Sequence, residues 1–433
     1  MAWGSKTWGW LLPAVVLAGG LTACGSDPEP AEDARVLEYW AVNMGPTLEQ
    51  NTETLETVLE RFTDETGIEV DLEVIGWESL LSRVMNAVAS GQGPDVLNVG
   101  NTWSPTLQDS GAFMAFDEQA MAAIGGEDRF LAPTMTSTGR AGEPPATIPY
   151  LGQAFALYYN TRLFAEAGIE GPPETWSELV ADAKALTGDG RWGIALNGGG
   201  TIGNAHLAFL LGRQHGAELF TPDGEPQFDT QELRAAVRTL IDLMATDEVV
   251  SPSDAEQSGI TDSLKALADG RAAMVTYQSS GRSHLASAGF EDYAVAPLPV
   301  LDPLPPGGAP VRGFVGGTNL AVLDDTQLPD EALELVRFLV SDEEQVTLNE
   351  AFGTLPVVHG AYDDPAFGDP VTGMFGTILS EHSETLPMVA TEGQMELFLG
   401  AAVRGLWAKA ATSEVTDGDI ADALAEAERQ MPR

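Results

Sequence analysis

From residue 36 onward, runs of apolar and β-branched residues alternate with stretches whose apolar positions recur at helical spacing. A parallel α/β architecture produces this alternation. Val36-Leu-Glu-Tyr-Trp40 predicts a short strand. Leu55, Leu59 and Phe62 share one face of a helix over 51–66, which Gly67 stops. Ile68 to Val74 alternates as a strand, Leu80 to Ser90 reads as a helix closed by Gly91, and Pro94 to Val99 as a third strand. Strand, helix, strand, helix, strand makes a doubly wound lobe. Such sheets bind ligands beyond the carboxyl ends of their strands, so the loops near Trp40, Trp77 and Asn101 are the first places to look.

The polar stretch Ser137 to Thr147 separates this lobe from a second unit. There Ile148-Pro-Tyr150 leads into Phe155 to Tyr159, Pro172-Pro173 and Thr175 mark a helix start running to Leu186, and Gly193 to Leu196 is a strand. Helices follow near 207–211 and over 230–244, then 264–270 leads into the strand Ala272 to Tyr277. Six prolines between Val295 and Pro310 suit a rigid connection rather than an element. Asn319 to Leu323 reads as a strand, Pro329 to Val340 as a helix, and the chain from Met395 onward as mostly helical.

Before residue 36 the pattern differs. Lys6 precedes an apolar stretch, Trp10 to Ala18, too short to span a bilayer, and Leu21-Thr-Ala-Cys24 resembles the bacterial lipobox. Residues 1–23 therefore read as a lipoprotein signal peptide, with Cys24, the sole cysteine, as the lipidated first residue. The Pro-rich, acidic residues 24–35 read as a linker. This places the folded part on the outer face of the cell membrane, held by lipid alone. The remaining chain, roughly 400 residues, favours two lobes over one core. A formal charge of −44 opposes binding to nucleic acid or to an anionic membrane surface. Its acids are scattered, which fits a solvated surface or adaptation to a saline exterior better than a cation lure.

Several chemistries are excluded or unsupported. No Gly-Lys dipeptide exists for a phosphate-cradling loop, and neither His-Glu-x-x-His nor Gly-x-Ser-x-Gly occurs. His206, His215, His284, His359 and His382 are dispersed, with no metal-ligand spacing. Carboxylates are too abundant for any pair to mark a glycosidase. No catalytic residue, metal or cofactor is expected.

Short blocks along the chain carry a resemblance. They are Phe62-Thr-Asp-Glu-Thr-Gly-Ile-Glu-Val70, Ala89-Ser-Gly-Gln-Gly-Pro-Asp-Val96, Leu157-Tyr-Tyr-Asn-Thr161 with Ala167-Gly-Ile169, Pro172-Pro-Glu-Thr-Trp-Ser-Glu-Leu179, Gly270-Arg-Ala-Ala-Met274, Ala296-Pro-Leu-Pro299, Gly316-Gly-Thr-Asn-Leu320 and Gly353-Thr-Leu-Pro356. In order and spacing the chain resembles family 1 extracellular solute-binding proteins of ABC importers, the carbohydrate-type proteins related to maltose-binding protein. The resemblance implies a two-lobed, type II periplasmic-binding-protein-like fold, each lobe a mostly parallel sheet flanked by helices. It implies three interlobe crossings, near Ile148, Pro299 and Pro356. Lobe 1 would comprise 36–148 plus 300–355, lobe 2 149–299 plus 356–433, closing by a hinge on a ligand.

Sugar capture needs aromatic faces against pyranose C–H surfaces and amides, carboxylates or hydroxyls for the ring hydroxyls. Trp40 and Asn43 after the first strand, Trp77 with Glu78 after the second, and Asn101 with Trp103 after the third are candidate contacts. Tyr150 and Gln153 flank the first crossing; Gln153 falls where the family often has a sugar contact. Asn204, the stretch Gln278 to Ser280, and Gly317, Thr318 and Asn319 complete the set. Trp176 reads as packing at a helix start. Relatives often place a Trp beyond the strand ending at Tyr277; here Gln278-Ser-Ser-Gly281 stands instead, so Tyr277 is the remaining aromatic candidate.

The expectation is a lipid-anchored, non-enzymatic receptor that binds a sugar, oligosaccharide or polyol and docks on ABC permease subunits. The alternatives are a secreted glycoside-cleaving enzyme and a binder of a non-sugar, either a cationic compound or a glycerophosphate, the last needing arginines such as Arg282 or Arg312 at the cleft.

Overall fold

A computed structural model describes residues 36–259 and 261–432. Cys24, its leader and the linker lie outside the described residues, as does the side chain of Glu78. No helix among the described residues is long and apolar enough to cross a membrane.

The first half-sheet is built from β1 (Val36–Val42), β2 (Glu69–Ile75) and β3 (Val96–Gly100), with β1 parallel to both neighbours. Helix α1 (Leu48–Thr66) connects β1 to β2 and buries Leu55, Val58, Leu59 and Phe62. The Thr47 side chain caps its start, and Gly67, at φ 75°, ends it in the left-handed conformation that glycine tolerates best. Helix α2 (Trp77–Ser90) begins three residues before the apolar pattern suggested, because Trp77 and Glu78 form its first turn.

Strands β4 (Ile148–Asn160) and β8 (Gly313–Val322) join the two halves. β8 runs antiparallel to β3, and β4 pairs with β8 from Ile148↔Leu320 to Ala154↔Val315. From Phe155↔Gln278 onward, β4 instead pairs with β6 (Ala272–Gln278), and from Leu157 also with β7 (Tyr293–Ala296). β5 (Trp192–Ala195) lies parallel outside β6. A strand serving two half-sheets is covered on both faces. That is why every residue of β4 except Tyr159 is buried and its sequence is nearly continuously apolar.

Each half has its own core. One gathers Leu37, Phe62, Val99 and Leu320 under α1 and α2; the other gathers Leu157, Met274, Leu240 and Trp407 under the helices of the second half. A third cluster, with Ala156, Tyr158, Val315 and Phe375, backs the junction. In the second half, the helix Trp176–Leu186 starts at a Thr175–Glu178 capping box, as the Pro-Pro-Glu-Thr pattern suggested. Trp176 packs on this core, its indole donating to Gln214 Oε1 at 3.0 Å.

The resemblance implied crossings near Ile148, Pro299 and Pro356, and strand pairing changes a few residues away from the first of these. β4 changes partners between Ala154 and Phe155, not at Ile148. The Pro-rich stretch stays on the second core, because Gln214 Nε2 donates to Pro299 O (3.0 Å) and Val311 O (2.8 Å). The passage back is made by β8 beyond Phe314. Leu355 exchanges backbone hydrogen bonds with Gly152 (both 2.8 Å) beside the same junction, and the chain then returns Val357, Val358 and Ala361 to the first core.

Candidate ligand-binding cleft

The carboxyl ends of β1, β2 and β3 open toward the junction, and the residues that follow them are shaped by local bonds. Asn43 N donates to Ile75 O at 2.9 Å, while Met44 N and Gly45 N both donate to Asn51 Oδ1 (2.7 and 2.9 Å), which sets the turn into α1. Asn43 Oδ1 is buried with no protein partner. Trp77, first in α2, meets Trp103 edge to face, with ring centroids 6.0 Å apart at 78°. Both indoles are half-buried. Gly100 lies close against the second of them, since a Cβ there would sit 3.2 Å from the Trp103 ring.

At the junction, Gln153 Oε1 lies 3.4 Å from the backbone N–H of Ser280, and Ser279 N donates to Ala154 O at 3.0 Å. Gly317 has φ 137°, and a Cβ there would lie 2.3 Å from Leu151 O, so only glycine fits between β8 and β4. Ser279 Oγ and Thr318 Oγ1 are buried without a protein partner. Gln278 is half-buried beside Gly316, its carbonyl accepting from the Tyr158 hydroxyl at 2.7 Å. Tyr277 is buried in the third cluster, and burial pushes its hydroxyl above the ordinary range.

Four of the sequence-derived candidates are occupied elsewhere. Trp40 is not beyond the first strand: β1 runs on to Val42 in register with Ile75, and the Arg83 guanidinium lies 4.4 Å over the Trp40 ring while pairing with Glu73. Tyr150 faces Tyr39 inside the first core, where burial raises both hydroxyls. Asn204 donates to Gly198 O (2.9 Å) and accepts from Trp407 Nε1 (3.0 Å), tying the 197–200 loop to the C-terminal helices. Asn319 Nδ2 contacts Ser137 O (2.8 Å) and Thr147 Oγ1 (2.9 Å), latching the start of β4. Asn101 is intermediate: its Nδ2 donates to Val315 O at 2.9 Å, which fixes the turn carrying Trp103.

Nothing in the linear pattern marks the acidic pair at this junction. The helix Glu392–Ala410 packs its start against the Asn101–Trp103 turn, and the Thr106 hydroxyl donates to Ala390 O at 2.8 Å, so the two halves touch here. Glu392 and Glu396, one turn apart, are buried. Glu396 Oε1 lies 2.6 Å from His206 Nε2, and the His206 ring sits 4.3 Å from that of Phe314. Burial, reinforced by the neighbouring Glu396, pushes the Glu392 carboxyl well above the usual range. In sequence these acids look like the polar face of an amphipathic helix; only packing turns them inward.

Arg282 is engaged otherwise. Its Nη2 donates to Gly353 O and Thr354 O (both 3.1 Å) and its Nη1 to the Thr372 hydroxyl, which binds the third connection to the second half. A surface hollow of about 660 Å³ beside Arg238, Thr246 and Ser413 also involves Ala410. It is thus at the opposite end of the helix Glu392–Ala410, about 27 Å from Glu392 at 1.5 Å per residue. Among the described residues no group of His, Cys, Asp and Glu is arranged to hold a metal ion.

Residues 45–346 match the model of the bacterial extracellular solute-binding protein family. The chain belongs to that family. A putative binding protein of Brucella abortus (strain 2308) is 25% identical over 357 residues, 79% of this chain and 80% of that one. The sn-glycerol-3-phosphate-binding periplasmic protein UgpB of Rhizobium meliloti (strain 1021) is 23% identical over 385 residues, 83% and 86% of the two chains. Among solved structures, maltose-bound MalE3 of T. maritima superposes with a TM-score of 0.78 at 22% identity, covering 92% of this chain and 99% of that one. The protein is therefore an extracytoplasmic solute-binding component of ABC-importer type, with two lobes and a cleft between them.

Proposed function

We propose that the cleft captures a sugar, oligosaccharide or polyol, and that hinge closure presents the loaded protein to an ABC permease. The observation that carries this is the Trp77–Trp103 pair, set beside buried polar groups at the junction, several of which lack protein partners. An aromatic face with a few placed acceptors and donors matches a pyranose or polyol. The contacts we assign are Asn43, Trp77, Trp103, Gln153, Gln278, Ser280 and Thr318, with Asn101 and Gly317 shaping the floor. The lobes we assign are 36–154 with 315–363, and 155–314 with 364–433. Cys24 is the proposed lipid anchor, which keeps the receptor on the outer face of the membrane beside its importer. Stable anchoring needs at least two acyl chains there, as a single chain holds only marginally.

The protein acts as a binder rather than an enzyme in this reading. Glycoside cleavage places two carboxyls on either side of the scissile bond, whereas Glu392 and Glu396 lie one turn apart on one helix. A glycerophosphate reading is favoured by the name of the R. meliloti relative. Against it, the Arg282 guanidinium is taken up by backbone carbonyls and Thr372.

Calorimetry against a panel of neutral sugars, polyols, amino sugars and glycerol 3-phosphate, with small-angle scattering in parallel, tests the proposal. Heat and compaction with a sugar or polyol are expected. Binding of glycerol 3-phosphate alone, or of none of these compounds, would overturn it. Native mass spectrometry of protein from rich medium gives an independent readout, because tight ligands co-purify.

A further inference from the structure

Glu392 is the one carboxylate among the described residues that is fully buried with neither oxygen accepting from an N–H or hydroxyl donor, its near polar neighbour being the Glu396 carboxyl. Its position is fixed by the contacts at the start of its helix, where the Thr106 hydroxyl holds Ala390 and the Asn101–Trp103 turn packs alongside. It therefore stands where the second lobe meets the aromatic pair of the first. On the same turn, Gln394 Oε1 is also buried without a partner. Glu396 is buried one turn on and held by His206 Nε2 at 2.6 Å. Among the described residues no lysine or arginine pairs with Glu392.

A carboxylate withdrawn from water without a partner is strongly unfavourable, and a second one beside it makes matters worse. The acidic pair has acceptors in excess and no resident cation. Burial beside Glu396 drives the unliganded Glu392 carboxyl toward its neutral form, and a neutral hydroxyl arriving with a ligand would leave it so. An ammonium group supplies up to three donors together with the counter-charge that lets the carboxyl ionise.

We propose that the ligand carries a basic nitrogen, an amine-bearing sugar or polyol whose ammonium group binds Glu392, with Glu396 second and His206 holding Glu396 in position. This rests on the sugar or polyol reading above and narrows it. Glu392 and Glu396 are specificity-determining residues, absent from the sugar contacts assigned from the strand ends.

Matched pairs differing only by an amine for a hydroxyl test this: glucosamine against glucose, and glucamine against sorbitol, titrated calorimetrically into the full chain at neutral pH. The amine member is expected to bind about tenfold tighter or more, the scale of one charge-assisted hydrogen bond. Glu392→Gln should abolish that preference while its thermal transition stays at or above that of the wild type, since a buried acid beside a second acid is replaced by a neutral amide of the same shape. Equal or tighter binding of the neutral members overturns the inference and leaves the sugar reading standing, as does a preference that survives in both Glu392→Gln and Glu396→Gln. The wild-type comparison holds even if a variant fails to fold. Silence from both series overturns the inference, and the sugar reading falls with it only where the wider panel of sugars and polyols is silent as well.

Discussion

Trp77→Ala and Trp103→Ala should each weaken ligand binding by about 1–3 kcal/mol, the loss of one aromatic face, while the melting temperature changes little. Trp40→Ala should do the reverse, lowering stability and leaving affinity intact, because its ring is covered by Arg83. Calorimetry and thermal unfolding on the three variants separate these outcomes, and equal affinity losses at all three would reject the assignment. Asp254 gives a pH prediction. Its Oδ2 accepts from Leu196 N at 3.0 Å, but burial dominates and pushes its carboxyl from 3.8 up to about 6. The folded state thus holds a proton that the unfolded state has already released. This contribution to stability is complete below about 4 and is lost as pH rises through about 6. Asp254→Asn should therefore show a smaller fall in melting temperature than the wild type across that window. At this scale the sequence was only partly readable. Trp77 and Trp103, which we assign to the ligand, stand out because they follow strands, yet the candidates Asn204 and Asn319 serve the scaffold, since an amide's role depends on partners brought in by distant segments.

At the scale of elements, the local signals carried most of the information. Gly67, Gly91 and the Thr175–Glu178 capping box end or start helices as the pattern suggested, because caps are made by residues three or four apart. Thr175→Ala should cost about 1 kcal/mol in chemical denaturation without altering affinity. The strand lengths were less readable. β1 extends to Val42 because parallel pairing with β2 continues there, and β8 begins at Gly313, six residues before the apolar run at Asn319. Gly317 lies within that extension, where a side chain would collide with Leu151 O. Gly317→Ala should destabilise the protein by more than about 2 kcal/mol and blunt ligand-induced compaction, as read by denaturation and scattering. An unchanged variant would show that β8 and β4 are looser than described.

Across the whole molecule, acids outnumber bases by 65 to 21. Many of the arginines and lysines are paired, such as Arg61 with Glu344 and Arg238 with Asp417, so most carboxylates repel one another across the surface. Screening relieves that repulsion once the Debye length falls to a few ångström, near about 1 M salt. The melting temperature should therefore rise between about 0.01 M and about 1 M sodium chloride. A flat or falling profile would mean that the charges are compensated locally.

What the sequence determined by itself was everything governed by neighbours along the chain: the order of strands and helices, the caps, and the ordered blocks that resemble the solute-binding family. Those signals are short in range, so a linear pattern contains them. The tertiary structure alone decided where the lobes exchange strands, which polar groups face the cleft, and that Glu396 meets His206, 190 residues away in sequence. Burial and partner choice arise only when the two half-sheets share β4 and β8. An acid on an amphipathic helix therefore reads the same whether it faces solvent or a ligand.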